Sequence, residues 1–234
     1  MILFPMLGAS SRFKNAGIST PKFQLRINKK SIFTMSVETF KKYFNQEHFI
    51  FIVNNEFNNI NFVKSELENI GIINYTIINI NHPTRGQAET IYIALNQLND
   101  NKEIYVFNID TIIKNFELPK IHNDIFGYID VFIGEGDNWS FIKPLNDTLV
   151  ESTIEKVRIS NLCSNGLYYF KSKEIYDFAY NRIKNNSSEL YIAPMFNFLI
   201  QNNMKVSYRI TDSINIEHAG IPIDYFKLKK KYEA

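Results

Sequence analysis

The chain has 234 residues, which fits one large domain or two small ones, and we favour one domain because 45% hydrophobic residues supply ample material for a single core. The formal net charge of +2 at pH 7 excludes a strongly basic nucleic-acid-binding surface as the main feature, so no nucleic-acid partner is expected. No apolar run reaches the ~18 residues of a membrane-spanning helix, so stable membrane insertion is not expected either.

The N-terminal residues and the cysteine content indicate the same compartment. The segment 1–4 contains no basic residue and meets Pro5 at once, which is not the pattern of a secretory signal. The single cysteine, Cys163, cannot form an intramolecular disulfide, as is usual in a reducing environment. We therefore expect a cytoplasmic protein in which Cys163 is a small buried residue.

Apolar runs and helical periodicity alternate through the first half of the chain. Phe33, Val37 and Phe40 recur at intervals of three and four residues, which is typical of a helix, and Ser31 and Asn59 are predicted N-caps. The alternation predicts a parallel sheet covered by helices on both sides. The predicted strands are Ile2 to Leu7, Phe49 to Asn54, Tyr75 to Ile80 and Ile104 to Ile109, and the predicted helices are Ile32 to Phe44, Ile60 to Ile70 and Gln87 to Leu98.

The second half is richer in strands. We interpret the polar run 185–188 as a loop between two helices. The predicted strands are Tyr128 to Ile133, Trp139 to Ile142, Leu149 to Ile154, Gly166 to Phe170 and Lys205 to Ile210, and the predicted helices are Lys173 to Ile183, Leu190 to Gln201 and one from about Asp224.

The loop after the first strand has the composition of an anion-binding loop. Gly8-Ala9-Ser10-Ser11 has small side chains, so its backbone N–H groups can approach an anion closely. Arg12 adds a fork of donors suited to phosphate oxygens, and Lys22, held after Pro21, adds a compact charge. The alternative is an ordinary turn with two solvated cations.

Further motifs follow this loop in a fixed order. The motifs are Gly8-Ala9-Ser10-Ser11-Arg12 with Pro21-Lys22, Arg85-Gly86-Gln87-Ala88, Asn108-Ile109-Asp110, Glu155-Lys156 and Ser164 to Phe170. With them the chain resembles the nucleotidyltransferase family that makes nucleotide-activated sugars and related phosphates. Within that family it looks like the capsular-polysaccharide branch, because it shares Trp139-Ser140-Phe141 and the segment Glu189 to Pro194.

The resemblance implies an α/β, Rossmann-like nucleotidyltransferase fold with a mixed, mostly parallel central sheet flanked by helices. It implies one domain, 1–234, with a nucleotide-binding half (1–112) and an acceptor-binding half (113–234). The implied reaction joins a nucleoside triphosphate to a phosphorylated sugar or polyol and releases pyrophosphate. The product would be an activated precursor for capsule or another surface polysaccharide. The aromatic content is compatible with a homodimer.

The family's functional positions carry over to residues of this chain. The implied catalytic residues are Arg12, Lys22, Asp110 and Lys156. The implied nucleotide-binding residues are Leu7, Gly8, Ala9, Ser10, Ser11, Arg12, Gln87 and Ala88, and the implied acceptor-binding residues are Asp137, Trp139, Glu155, Lys156, Asn165 and Gly166. Ser10 replaces the second glycine of the family pattern, so it must accept the backbone geometry that the glycine provides.

The metal site departs from the family pattern. Asp110 ends an apolar strand, where a carboxylate can hold Mg²⁺ that bridges phosphate oxygens, although such an aspartate can also cap a helix. The family usually draws a second carboxylate from Asp-x-Gly-x-Pro, but here the aspartate is His218. Either Glu217 or His218 could complete the metal site, but strand neighbours point to opposite faces, so both cannot enter it unless the strand is bulged. We expect Asp110 to be the principal protein ligand, with phosphates and waters completing the shell. Imidazole at such a site would make Mn²⁺ acceptable as well.

Several assignments stay open from the sequence. Gln87 can present a donor or an acceptor to a pyrimidine edge, so it cannot separate uracil, thymine and cytosine. We therefore expect CTP or another pyrimidine triphosphate, and GTP stays open as an alternative. Trp139 and its polar neighbours suit hydroxyl recognition or a simple rim position equally well. Two other functions are alternatives: a glycosyltransferase of related architecture, and a non-catalytic nucleotide-binding module.

Overall fold

The computed structural model of the protein describes residues 1–98, 100–186 and 189–233. The loop predicted over 185–188 falls partly on Ser187 and Ser188, which lie outside the described residues. No helix within these ranges is long and apolar enough to cross a membrane.

The elements alternate between strands and helices through most of the chain. The strands are β1 (Ile2–Pro5), β2 (Arg26–Ile27), β3 (Lys30–Ser31), β4 (Phe49–Val53), β5 (Tyr75–Asn79), β6 (Ile104–Phe107), β7 (Thr111–Ile113), β8 (Ile125–Ile133), β9 (Ser140–Pro144), β10 (Val150–Glu155), β11 (Leu162–Phe170), β12 (Lys205–Ile210) and β13 (Ile216–His218). The α-helices are α1 (Ser11–Asn15), α2 (Ile32–Val37), α3 (Asn59–Ile70), α4 (Gln87–Leu95), α5 (Lys173–Ile183), α6 (Met195–Gln201) and α7 (Pro222–Glu233).

The predicted α/β fold class is confirmed. The central sheet is mixed and mostly parallel and is flanked by helices. Strands β1 and β6, β4 and β5, and β8 and β12 pair in parallel, whereas β11 pairs antiparallel with β6, β8 and β9. Its central strands are buried apolar runs, which explains why they are recognisable in the sequence.

The chain divides into two compact units that are interleaved in sequence. Unit 1 contains Met1–Leu3, Thr84–Phe107 and Leu118–Ser213. Its part of the sheet has the order β10-β9-β11-β6-β1, with β8 added to β11 and β12 added to β8. Helices α4, α5 and α6 belong to this unit. The prediction of one domain with halves 1–112 and 113–234 stays a prediction.

Unit 2 contains Phe4–Pro83, Asn108–Glu117 and Ile214–Ala234. It holds the end of β1, strands β4 and β5, and the antiparallel pairs β2 with β3 and β7 with β13. Phe4 stacks on Phe51 with ring centroids 5.0 Å apart. A second cluster packs beneath α1 and α7, where Phe13 meets Tyr225 edge-on at 6.1 Å. This packing joins the beginning and the end of the chain within one unit.

The two predicted N-caps have different outcomes. Ser31 does cap α2, since its hydroxyl accepts a 3.0 Å hydrogen bond from the backbone N–H of Thr34. Asn59 was predicted wrongly, because it is the first residue of α3 and Asn58 precedes it as the cap. The Asn59 amide is used elsewhere: its oxygen accepts from Gln24 and its nitrogen donates to Asn54, both at 2.7 Å.

The helix predicted from Leu190 to Gln201 begins later than expected, at Met195. The backbone N–H of Leu190 donates to the carbonyl of Arg85 at 2.7 Å, and its carbonyl accepts from the N–H of Ala88 at 3.0 Å. These groups are therefore unavailable to a helix. Pro194 also disfavours helical backbone at the residue before it.

A buried carboxylate connects α2, α3 and β2 in unit 2. Glu66 is 6% exposed and accepts hydrogen bonds from Ser31 at 2.5 Å, from Thr34, and from Arg26 at 2.7 Å. Burial raises the pKa of Glu66. The hydrogen bonds from these three donors together lower it by more, so the net shift of its pKa is downward.

We expect Glu66→Gln to lower the free energy of unfolding by about 2 kcal/mol, because it leaves buried donors without an ionised acceptor. A folded-state pKa below the unfolded value means that this contribution is present above about pH 4.3 and is lost as the pH falls through the folded-state pKa. Urea unfolding of the wild type and of Glu66→Gln, measured from about pH 3 to about pH 7, gives the difference in their free energies of unfolding. The exposed Glu68→Gln on the same helix is the control, and an equal effect of the two variants would contradict this account.

Candidate active site

The loop that follows β1 in unit 2 is open and exposed. Gly8, Ala9, Ser11 and Arg12 are exposed, and a Cβ added at Gly8 would meet nothing within 4 Å. Ser10 takes the left-handed conformation, with φ 51° and ψ 33°. It therefore adopts a backbone geometry that glycine usually provides. The loop presents small side chains and one guanidinium to solvent, and Leu7 at its start is half-buried.

Ser10 also connects this loop to Lys22. The Ser10 hydroxyl accepts a 3.2 Å hydrogen bond from the backbone N–H of Lys22. The side chain of Lys22 turns to Asp110, whose Oδ2 accepts from its ammonium group. The two side chains are 23% and 19% exposed, so the ion pair is largely shielded from solvent. One serine thus fixes the loop relative to a lysine and its carboxylate partner.

The backbone of β13 and the turn after it closes one side of Asp110. The Asp110 carbonyl accepts from the N–H of Ala219 at 2.8 Å. A Cβ added at Gly220 would lie 2.6 Å from Asp110 Oδ2, so a side chain there would displace the carboxylate. Burial raises the pKa of Asp110, but the charge and hydrogen bond of Lys22 lower it more. Asp110 is therefore ionised at neutral pH.

Glu217 and His218 lie on opposite faces of β13, as the strand geometry requires. The strand pairs with β7 in regular register, with Glu217 opposite Ile112. The Glu217 carboxylate accepts from Lys114 at 2.9 Å, Lys231 at 2.6 Å and Tyr232 at 2.7 Å, so its oxygens are occupied by cations and a hydroxyl.

His218 lies close enough to Asp110 for their charges to interact. Burial lowers the pKa of its imidazole, and the carboxylates of Asp110 and Asp224 offset part of that shift. In the described part of the chain, no group of three or more His, Cys, Asp or Glu side chains is arranged to hold a metal ion.

In unit 1, the start of α4 is held tightly by a neighbouring segment. Gln87 is the first residue of α4 and is half-buried. Ala88 is fully buried, and its carbonyl accepts from the Tyr176 hydroxyl at 2.8 Å. Its N–H donates to the carbonyl of Leu190 at 3.0 Å, so both backbone groups of Ala88 are used inside the protein. Glu89 is paired with Arg85 at 2.5 Å and caps the turn rather than facing an open space.

Glu155 and Lys156, also in unit 1, line a cavity of about 320 Å³ together with Glu189 and Tyr191. Glu155 accepts from the Ser140 hydroxyl. Burial raises the pKa of Glu155, with smaller downward shifts from Ser140 and Lys156. This cavity brings together two carboxylates, an ammonium and a phenol hydroxyl.

Asn165 and Gly166 lie in a bulge of β11. The Asn165 side chain is 1% exposed, and its amide donates to the buried Asp130 at 2.6 Å and accepts from Leu167 N–H at 3.1 Å. Its side chain is thus fully used inside the protein. Gly166 takes φ +94°, which matches the register shift of β11 against β8.

Trp139 and Asp137 belong to a loop organised by Arg158. Asp137 is exposed and accepts from Arg158 at 3.2 Å, while Arg158 also donates to Gly136 O at 2.5 Å. Trp139 packs edge-on against Phe132 at 5.1 Å. No sequence pattern predicts this role of Arg158. By contrast, Asp130 is a charged residue inside an apolar strand, which is a sequence signal for a buried polar cluster.

Comparisons with known proteins identify the family. No family model matches the chain, and no curated protein matches it. The crystal structure of the nucleoside-diphosphate-sugar pyrophosphorylase from Vibrio cholerae RC9 matches with a TM-score of 0.93 and 39% sequence identity, covering 98% of this chain and 100% of that chain. The chain therefore belongs to the sugar-phosphate nucleotidyltransferase family, and it is an enzyme of the nucleotidyltransferase class.

Two more distant structures share the fold. The inositol-1-phosphate CTP transferase from T. maritima has a TM-score of 0.76 and 12% identity, covering 99% of this chain and 95% of that chain. The UTP-bound UGPase from Acinetobacter baumannii has a TM-score of 0.71 and 15% identity, covering 99% and 92%. The family resemblance read from the motifs is confirmed, and its assignment to the capsular branch stays a prediction.

The close contact at Gly86 allows a test of how strictly this region is built. Gly86 has φ +141°, and a Cβ there would lie 2.6 Å from the carbonyl oxygen of Leu190. We expect Gly86→Ala to lower the free energy of unfolding by about 2–3 kcal/mol through backbone strain and overlap.

The matched control is Gly136→Ala, where φ is +80° and nothing lies within 4 Å of the added Cβ. This variant should lose only about 1 kcal/mol, from the left-handed backbone alone. Thermal and urea unfolding of both variants measure the difference. Equal losses would show that the contact with Leu190 does not matter.

Proposed function

We propose that this enzyme joins a pyrimidine nucleoside triphosphate, with CTP favoured, to a phosphorylated sugar or polyol. Pyrophosphate would be released, and the conjugate would be a precursor for capsule or another surface polysaccharide. The Lys22–Asp110 ion pair beside the exposed Gly8–Arg12 loop carries this proposal, because it places a fixed ammonium and an ionised carboxylate next to an anion-binding loop.

The chemistry is a displacement at phosphorus. A phosphate oxygen of the acceptor attacks the α-phosphorus, the bond from that phosphorus to the bridging oxygen breaks, and pyrophosphate leaves. Both reactants are polyanions, so the protein has to offset their repulsion and stabilise the charge on the leaving group. In this proposal Arg12 and the backbone of residues 8–11 bind the triphosphate, and Lys22 neutralises charge near the reacting phosphate.

We further propose Mg²⁺ as the cofactor, with Asp110 as the principal protein ligand and Mn²⁺ as an acceptable substitute. Asp110 would hold the ion, which when bound would supply Lewis-acid stabilisation of negative charge on the phosphates. The fit rests on Asp110, whose lowered pKa keeps it ionised. Glu217 fits less well, because three donors already occupy its carboxylate.

The base preference is supported from two sides. Gln87 at the start of α4 offers a donor and an acceptor of the kind that a pyrimidine edge requires. Relatives with the same fold are described with CTP and with UTP, both pyrimidine nucleotides. On the acceptor side, Lys156 would bind the acceptor phosphate, and Glu155 would accept from acceptor hydroxyls.

The two departures from the family pattern do not favour the non-catalytic alternative. Ser10 adopts the required left-handed backbone, and His218 leaves Asp110 paired with Lys22. A glycosyltransferase is also disfavoured, because a donor diphosphate does not need a loop with both Arg12 and Lys22.

The first test is pyrophosphate release with each common nucleoside triphosphate, Mg²⁺ or Mn²⁺, and a panel of sugar and polyol phosphates. We expect release only when one triphosphate and one acceptor are present together. Lys22→Ala should reduce the rate by about 100-fold or more, because it removes a charge aligned with the reacting phosphate.

Lys14→Ala is the matched control, since Lys14 is an exposed lysine of the same region that lies outside the proposed site. Triphosphate binding without release in every combination would favour the binding-module alternative. If Lys22→Ala and Lys14→Ala lose the same fraction of the pyrophosphate-release rate, the loss comes from the change in overall charge and not from the position of Lys22 in the site.

A second test concerns the metal. We expect Asp110→Asn to lower kcat by about 100-fold and to raise the Mg²⁺ concentration needed for half-maximal rate, because a neutral amide binds the ion weakly. Glu217→Gln should leave the Mg²⁺ dependence unchanged while lowering stability. Metal titrations of the rate, with urea unfolding in parallel, separate the two effects. A loss of metal dependence in the Glu217 variant alone would refute the assignment.

A further inference from the structure

We propose that Tyr191 is a positioning residue that aims the ammonium group of Lys156 into the cavity of unit 1, and that Glu189 sets the direction of the Tyr191 hydroxyl. This inference rests on the proposed role of Lys156 as the residue that binds the acceptor phosphate. The segment 189–191 thereby takes part in acceptor binding, a role that neither a glutamate nor a tyrosine indicates by its residue type alone.

The contacts of Lys156 are specific. Its backbone has φ +56°, and its N–H donates to the carbonyl of Trp139 at 2.8 Å, so the residue turns away from the line of β10. Its ammonium lies 4.4 Å from the centroid of the Tyr191 ring and donates a hydrogen bond to the Tyr191 hydroxyl. The Tyr191 hydroxyl is therefore the group that holds this ammonium group.

The hydrogen-bond direction follows from Glu189. The Tyr191 hydroxyl donates its single proton to the Glu189 carboxylate. Its oxygen is then left to accept, and Lys156 is the donor. An ammonium group has three protons, and among the described residues Tyr191 accepts one of them, which leaves two for other acceptors. A phosphate oxygen in the cavity is the kind of acceptor that they would suit.

The charges keep Lys156 protonated. Burial lowers the pKa of Lys156, but the hydrogen bond and charge interaction with Tyr191 and the carboxylates of Glu189 and Glu155 raise it more. A lysine side chain otherwise samples many rotamers, and fixing it before an anion arrives reduces the entropy lost on binding.

The segment that carries Tyr191 is itself fixed. Leu190 is 1% exposed, and both of its backbone groups pair with the segment 85–88. Gly86 lies against the same backbone with no room for a Cβ. Tyr191 therefore projects from an anchored strand-like segment, and it has the rigid support that a positioning residue needs.

The test measures Lys156 directly and does not need the acceptor. Acetylation of Lys156 by an N-hydroxysuccinimide ester is followed by peptide mass spectrometry across pH, with and without inorganic phosphate. In Tyr191→Phe the ring stays and the hydroxyl is lost, so we expect the pH profile of Lys156 labelling to shift down and labelling at neutral pH to become severalfold faster. Protection by inorganic phosphate should need a higher phosphate concentration.

Two further variants sharpen this result. Glu189→Gln should change the labelling in the same direction as Tyr191→Phe, since the hydroxyl loses its ionised acceptor. Tyr208→Phe is the matched control, because the Tyr208 hydroxyl also donates to one partner, the carbonyl of Asn146 at 3.0 Å, away from the cavity. Identical labelling of Lys156 in folded Tyr191→Phe and in the wild type would overturn the proposal.

Kinetics distinguish this inference from the proposed function. If the pyrophosphate assay identifies an acceptor, Tyr191→Phe should raise the KM for that acceptor about tenfold, the effect of one hydrogen bond to a charged group, and leave the KM for the triphosphate unchanged. If the wild type releases no pyrophosphate, the proposed function fails, and the labelling experiment still decides whether Tyr191 positions Lys156.

Discussion

The ion pair between Lys22 and Asp110 is the interaction on which the candidate nucleotide end of this enzyme depends. It joins residues 88 positions apart in the sequence. The backbone N–H of Lys22 also donates to the Ser10 hydroxyl, and the carbonyl of Asp110 accepts from the N–H of Ala219. The ion pair therefore restrains Ser10 and Ala219 as well. A lone buried charge is expensive, so each partner requires the other. The loop, the strand end and the C-terminal segment of unit 2 are thereby held in one arrangement.

The carboxylates of the protein separate into two kinds by the number of donors that surround them. Asp130 accepts from Tyr128, Asn165, Arg209 and Thr211, and Glu66 and Glu217 each have three side-chain donors. These carboxylates are saturated, which suits a structural role. Among the described side chains Lys22 is the one that donates to Asp110, so Asp110 keeps acceptor capacity for a ligand.

Local patterns predicted the parts of this fold that local physics determines. The buried strands, the periodic helices and the cap at Ser31 follow from the order of apolar and polar residues. The missed features depend on distant partners. The segment at Leu190 looks helical by composition, but its backbone pairs with residues about 100 positions earlier, and the Asn59 amide bonds to Gln24 and Asn54 instead of capping.

The candidate site shows the same division. The motifs were sufficient to name Arg12, Lys22, Asp110 and Lys156 as candidates. They could not show that the Asn165 amide is enclosed by Asp130 and Leu167, nor that Lys156 rests on Tyr191, because both facts arise from side-chain directions. The short strand β7 was also missed, since three residues give too little periodicity to recognise.

The interleaving of the two units has a consequence for how the protein is made. Unit 2 needs its last segment, because Tyr225 packs on Phe13 and donates to the carbonyl of Arg26, while Glu233 accepts from Asn28. On a ribosome, residues 4–83 would wait on the order of ten seconds for that segment to be synthesised. During this interval the apolar surface around Phe13 and Ile112 would lack its cover. The newly made chain is therefore a natural client for chaperones until translation is complete.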